Sequence, residues 1–127
     1  MKSTGKQAIV LFAHGSRDRE WARPFRKLQR IVRAKRPGVA VELAFLEIME
    51  PPLDKKVAEL VETGYKYMTV APLFLAQGAH LKHDLSKILD AIRTEHPGVA
   101  IKLLPAIGEV DAILAAISDW LVVAVIR

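Results

Sequence analysis

The sequence contains no cysteine among its 127 residues. Disulfide bonds, C-x-x-C redox chemistry, iron–sulfur clusters and thiolate zinc sites are therefore all excluded. Any metal ion must be held by histidine, carboxylate or backbone oxygen, and such ligand sets suit borderline divalent ions. The missing thiols thus restrict metal chemistry to nitrogen and oxygen ligands.

Long apolar runs and aromatic residues are also scarce. No segment reaches the roughly 20 apolar residues that a membrane-spanning helix needs, and the opening residues M-K-S-T-G-K-Q lack the apolar stretch of a signal peptide. We therefore expect a cytoplasmic protein without a membrane partner. Aromatic residues make up 6% of the chain, and they do not alternate with basic residues as on RNA-binding surfaces. The net charge of +5 consequently favours an anionic small molecule over nucleic acid as partner.

Four short apolar segments alternate with segments whose apolar residues recur at helical spacing. The predicted strands are 7–13, 39–45, 67–74 and 99–104, and the first and third are nearly all apolar. The helical stripes are Trp21, Phe25, Leu28 and Val32; Leu53, Val57 and Leu60; Leu81, Leu85, Ile88 and Ile92; and Val110, Ile113, Leu114, Ile117 and Leu121. This alternation predicts an α/β fold, a three-layer sandwich around a mostly parallel sheet of four or five strands. A chain of this length forms a single domain, 1–127.

A repeat inside the chain suggests how this series arose. The segment R-P-G-V-A-V-E-L at 36–43 matches H-P-G-V-A-I-K-L at 96–103, at an offset of 60 residues. The match predicts an internal duplication with halves of about 7–66 and 67–127, although P-G-V-A is also a common connector between a helix and a strand. The C-terminal L-V-V-A-V-I fits either a last helical turn or a short edge strand.

Polar motifs follow each predicted strand. Ligands of open parallel sheets bind beyond the carboxyl ends of the strands, so these motifs are expected to meet at one edge. Neutral imidazoles bind divalent iron, cobalt or nickel, and two of them without a thiolate hold the metal loosely enough to release it. A nearby carboxylate can accept protons. Loose capture with proton removal is what insertion of a metal into a ring of pyrrole nitrogens requires. The residues after the four strands are His14; Glu47 and Glu50; His80 and His83; and Glu109.

Several of these residues also have plain structural interpretations. Ser16 is suited to cap the next helix, and Glu50 before Pro-Pro suits the first turn of a helix. His83 fits an ordinary surface position, and His96 fits a structural role beside Pro97 at a helix end.

Arg17 lies close enough to the predicted edge to bind an anionic group.

Two other enzyme classes are disfavoured by the residues around His14. A phosphohistidine mechanism needs an arginine directly before the histidine, and Ala13 stands there. An esterase would need a G-x-S-x-G nucleophile elbow, which the chain lacks.

Three motifs resemble those of the small CbiX/SirB sirohydrochlorin chelatases, which are class II chelatases. The motifs are A-H-G-S-R-D after the first strand, F-L-E followed by P-P after the second, and P-L-F-L-A-Q-G-A-H-L-K-H-D-L after the third. The F-L-x-x-G-x-H spacing in the third is the most specific part. The resemblance covers roughly residues 7–120. It implies a chelatase-like domain equivalent to half of a longer two-domain chelatase.

The resemblance also implies an activity and a site. The family inserts Co²⁺, Fe²⁺ or Ni²⁺ into sirohydrochlorin or a related tetrapyrrole without ATP, for cobalamin- or siroheme-type biosynthesis, and it needs no organic cofactor because the metal is a substrate. The metal-binding histidines of the family correspond to His14 and His80, and its acidic residue corresponds to Glu47. Short members are expected to form homodimers that enclose the tetrapyrrole between subunits. Substrate contacts are expected from Gly15, Ser16, Arg17, Gln77 and Gly78.

Two questions stay open at the level of sequence. The residue types suit iron, cobalt and nickel alike, so neither the metal nor the pathway is specified. A metal or tetrapyrrole carrier on the same fold would use the same ligands without turnover.

Overall fold

Four strands and four helices alternate along residues 6–126, which a computed structural model of the chain describes. The strands are β1 (Lys6–Ala13), β2 (Ala40–Phe45), β3 (Tyr65–Pro72) and β4 (Ala100–Leu103). The helices are α1 (Arg23–Lys35), α2 (Leu53–Glu62), α3 (Ala79–Glu95) and α4 (Asp111–Val123). Short 3-10 turns at Arg19–Ala22 and Ile107–Glu109 precede α1 and α4. All four predicted strands are confirmed.

The sheet is entirely parallel, with strand order β2-β1-β3-β4. Parallel crossovers are right-handed, so the change of direction after β2 puts α1 on one face of the sheet and α2 and α3 on the other. The predicted α/β fold with a mostly parallel sheet of four or five strands is thereby confirmed, with four strands. None of the helices in residues 6–126 is both long and apolar enough to cross a membrane.

The main core lies between the sheet and the pair α2–α3. Alternate residues of β1 and β3 supply its sheet side, since successive side chains of a strand point to opposite faces. Leu53, Val57 and Leu60 of α2 are buried, as the helical spacing predicts. In α3, Leu85 and Ile92 are buried as expected, together with Leu89, which the predicted stripe omitted. The sheet residues of this core are Ala8, Val10, Phe12, Ala44, Met68 and Val70.

The stripes of the first and last helices differ from the prediction. Trp21 belongs to the 3-10 turn rather than to α1, and no residue of α1 or α4 is fully buried. The capping residue before α1 also differs from the predicted Ser16. Asp18 caps the 3-10 turn, because its side chain accepts a hydrogen bond from the Glu20 N–H at 3.0 Å. Ser16 instead accepts one from the Asp18 N–H at 3.1 Å, two residues on, and so tightens the turn that precedes the cap. The C-terminal apolar segment continues α4 through Val123 and forms no strand.

The two halves of the chain repeat the same order of elements. Each half runs strand, helix, strand, helix, and β4 follows β2 at the 60-residue offset of the repeat. The first strand of the second half, β3, begins at Tyr65, two residues before the predicted boundary between 7–66 and 67–127. The duplication itself stays a prediction.

The turn before α4 packs directly against the loop after β3. A Cβ atom added at Gly108 would overlap the backbone carbonyl of Leu75, so only glycine fits this crossing. The loop that leads into α3 is thereby fixed against the loop that leads into α4.

We predict that Gly108→Ala lowers the free energy of unfolding by about 2 kcal/mol, since the backbone must move to accept the methyl group. Gly98→Ala is the matched control because no atom lies within 4 Å of its added Cβ. Chemical denaturation followed by circular dichroism measures both changes. Equal stability of the two variants would contradict the tight crossing at Gly108.

Candidate functional site

His14 is the first residue after β1, and its ring is held while remaining exposed. The imidazole packs edge-on against the Phe74 ring, with centroids 4.8 Å apart and an interplanar angle of 71°. Phe74 is buried and makes a second edge contact with Phe12 of the core, at 5.7 Å. Such aromatic pairs have a preferred geometry, so the core restricts the orientation of the exposed imidazole.

Glu47 is joined to His14 through the backbone. The Leu46 N–H donates to the Ala13 carbonyl at 2.8 Å, and the Glu47 N–H donates to the His14 carbonyl at 3.0 Å. The pairing of β2 with β1 thus continues past the ends of both strands. This continuation sets the loop carrying Glu47 beside His14.

A tight turn follows Glu47 at once. The Met49 N–H donates to the Glu47 carbonyl at 2.7 Å, and Ile48 between them has a φ of 70° and an exposed side chain. This is a γ-turn with a strained central residue. Strained positions concentrate at functional loops, and this one holds the Glu47 carbonyl over Gly15.

Gly15 is required at this crossing for two reasons. Its φ of 100° is a conformation that side-chain-bearing residues rarely adopt, and an added Cβ would overlap the Glu47 carbonyl. The glycine therefore lets the loops after β1 and β2 approach each other closely. Its predicted contact with substrate stays a prediction.

The loop between β3 and α3 brings the second histidine to the same edge. The Leu73 N–H donates to the Phe12 carbonyl at 2.8 Å, so this loop also continues the sheet. Gly78 is the N-cap of α3, and His80 lies exposed in the first helical turn. Gln77 is half-buried and lines a cavity of about 310 Å³ between α3 and the end of β4, together with Lys82, Ser86 and Glu109.

The predicted site residues therefore share one edge of the sheet without forming a closed metal cage. Within residues 6–126, no group of three or more His, Asp or Glu side chains could hold a metal ion among them. His14, Glu47 and His80 are all exposed. The assignment of these three residues to the site stays a prediction.

The positive charge of the chain is concentrated next to this edge and along α1. Residues 17–36 contain nine Arg or Lys residues against Asp18 and Glu20, an excess larger than the +5 of the whole chain. Arg23 pairs with Glu20, and Arg33 pairs with Glu42 of β2 at 3.1 Å. Arg17 lies exposed at the start of this basic segment, directly after the His14 loop. The remaining basic residues follow α1 away from the edge.

Phe74 is the site residue that the sequence analysis missed. It is the first residue of the F-L-x-x-G-x-H segment, in which the sequence analysis assigned functional roles to Gln77, Gly78 and His80 but none to the aromatic ring. The sequence did contain a signal for it. Phe74 is an aromatic residue that closely follows a buried strand, in a loop that leads to a histidine. Only the folded chain shows that this ring contacts His14.

Comparison with known proteins places these features in a family. The family model CbiX matches residues 8–122. The sirohydrochlorin cobaltochelatase of Sulfurisphaera tokodaii is 31% identical over 94% of this chain and 93% of its own length. A cobalamin (vitamin B12) biosynthesis CbiX protein from Marinobacter aquaeolei has a solved structure that is 36% identical, with a TM-score of 0.79 over 91% of this chain and 93% of that chain.

Some relatives are considerably longer. The structure of the sirohydrochlorin chelatase SirB from Bacillus subtilis subspecies spizizenii in complex with cobalt is 26% identical, with a TM-score of 0.78 over 94% of this chain but 51% of that chain. The matched part of the chain spans 57%, 43% and 63% of three curated relatives. The match to the family model nevertheless extends over most of the chain. With its parallel sheet, and with His14 and His80 in segments that follow the carboxyl ends of β1 and β3, the chain belongs to the CbiX family.

Proposed function

We propose that the protein is a metal chelatase that inserts Co²⁺, Fe²⁺ or Ni²⁺ into sirohydrochlorin or a related tetrapyrrole without ATP. The observation that supports this most directly is the His14 imidazole, which the core orients while leaving it exposed beside the Glu47 loop. Relatives named as cobaltochelatases and ferrochelatases support the same reaction. The metal is a substrate here, so the proposal needs no organic cofactor.

The proposed roles follow from the chemistry of each group. His14 and His80 offer imidazole nitrogens to the incoming metal, and two imidazoles without a thiolate hold it loosely enough to release it. Glu47 accepts a proton as a pyrrole N–H is replaced by the metal. A carboxylate close to the metal also offsets its charge during transfer.

The tetrapyrrole carries carboxylate side chains around its ring, and basic groups beside the edge would bind them. Arg17 is the nearest exposed candidate in sequence to His14, and an arginine can hold a carboxylate through two parallel hydrogen bonds. Gly15, Ser16, Gln77 and Gly78 belong to the two loops that would border the ring. We further infer that two copies of the chain enclose the macrocycle, since the edge of one copy is open, and that the protein acts in the cytoplasm.

The proposal predicts multiple turnovers in an anaerobic absorbance assay. Purified protein is mixed with excess sirohydrochlorin and, in turn, Co²⁺, Fe²⁺ or Ni²⁺, and each rate is compared with a protein-free control. We expect a metal-dependent spectral change that is faster than the control and exceeds one equivalent of protein. A stoichiometric shift without insertion would instead identify a carrier.

We predict that His14→Ala and His80→Ala each slow metal insertion at least about 10-fold, a loss that even mutation of a ligand's hydrogen-bond partner can cause. Both side chains are exposed, so the variants should keep the circular dichroism spectrum of the parent. His83→Ala, on the exposed surface of the same helix as His80, is the matched control. Full activity in both test variants would remove these histidines from the site.

We predict that Gly15→Ala reduces insertion even though it removes no functional group. The added methyl group must push the Glu47 carbonyl away, and the positive φ is unfavourable for alanine. Gly38→Ala is the control because its added Cβ meets no atom within 4 Å. Insertion rates and thermal unfolding are measured for both variants. An unchanged rate for Gly15→Ala would show that the approach of the two loops is irrelevant to activity.

A further inference from the structure

The C-terminal half of α4 is largely apolar, yet almost nothing covers it. Trp120 is 67% exposed and Val123 is 85% exposed, and Leu121 and Val122 are also more than half exposed. The apolar residues of a helix normally pack against another part of the protein. Among the described elements, α4 contacts mainly the short turn that precedes it. Exposed apolar patches of this kind mark interaction sites.

The same molecule has a sheet face that lacks a helix. The side chains of β3 that point away from α2 and α3 lie on the α1 side, but α1 packs against β2 and β1. On this side Tyr67 is 42% exposed, and Ala100 and Lys102 of β4, which pair with Tyr67 and Thr69, are exposed. We call this surface the open face; its residues are Tyr67, Thr69, Ala71, Ala100 and Lys102. Parallel sheets normally carry helices on both faces.

We propose that α4 of one copy packs on the open face of a second copy, and that the second copy does the same in return. A two-fold pair makes each contact twice, so one arrangement covers two helices and two sheet faces together. An unrelated partner could cover the helix and leave the open face bare. This inference deepens the pairing of two copies proposed above by naming the surfaces that meet.

Charge also favours a second copy over a lipid surface. The charged residues of α4 are Asp111 and Asp119, whereas helices that lie on anionic membranes carry Lys or Arg on their polar face. The open face contributes Lys102, which is opposite in charge to the helix. The helix and the open face are therefore complementary in both apolar character and charge.

The first test is the solution mass, measured by light scattering without metal or tetrapyrrole. We expect twice the 14.1 kDa of one chain. The double variant Trp120→Glu, Val122→Glu should have the mass of one chain, because a buried unpaired carboxylate is strongly unfavourable in an interface. The matched control is Ile31→Glu, which changes an apolar residue of α1 that is 43% exposed. A single-chain mass for the parent, or a pair that survives the double substitution, would overturn the proposal.

The second test identifies the contacting surfaces and does not depend on variants that weaken the pair. Because the chain has no cysteine, Val122→Cys and Ala100→Cys can be made in separately tagged chains, mixed, and treated with a short bismaleimide. We expect a mixed cross-linked product, and much less of it when Ile31→Cys replaces Val122→Cys. Equal yields would refute the packing of α4 on the open face. Co-flotation of the parent with anionic vesicles, without cross-linking, would assign α4 to lipid instead.

Neither test measures metal insertion, so each proposal can fail separately. An active chelatase without the cross-link would remove the α4 interface and leave the proposed function intact. A cross-linked pair without insertion would do the opposite.

Discussion

The site depends on the hydrogen bonding of β1, the strand that lies between β2 and β3. Residues just past the ends of β2 and β3 still donate backbone hydrogen bonds to this strand and to the residue after it. The acceptors are the carbonyls of Phe12, Ala13 and His14. These bonds fix the loops that carry Glu47 and Phe74 against the end of β1. Backbone hydrogen bonds of this kind are well defined in direction and length. Exposed loops therefore take positions that are set by the sheet.

Two close backbone crossings complete this arrangement. At Gly15 the first loop passes against the Glu47 carbonyl, and at Gly108 the last turn passes against the Leu75 carbonyl. Both crossings depend on the absence of a side chain. A larger residue could not avoid the overlap by changing rotamer, because its Cβ atom itself would meet backbone atoms. The three loops and the final turn at the carboxyl edge are thereby tied to one another as well as to the sheet. Chemistry that needs separate groups in fixed relation can be built on such an edge.

Helices cover one face of the sheet fully and the other face only in part. The side bearing α2 and α3 has a full core, whereas the opposite side has α1 over β1 and β2 and little over β3 and β4. Burial of apolar surface is the main favourable term in folding and association. The proposed packing of α4 on a second copy would bury both the apolar helix and the uncovered sheet face. This unevenness is also why the apolar stripe of α4 predicted a helix correctly but not its burial.

The sequence by itself determined the order of the elements, the parallel sheet and the edge at which the segments carrying His14 and His80 lie. The strands and helices follow from the periodicity of apolar residues over short segments. The parallel arrangement follows from the right-handed connection between successive strands. Only the tertiary structure decided that Phe74 packs on His14, that Asp18 rather than Ser16 caps the turn before α1, and that α4 stays exposed. The first and third depend on contacts between residues far apart in the chain, and the second on which of two nearby side chains reaches the backbone N–H. Their geometry arises only when the whole sheet is assembled, since spacing along the chain does not specify distances across it.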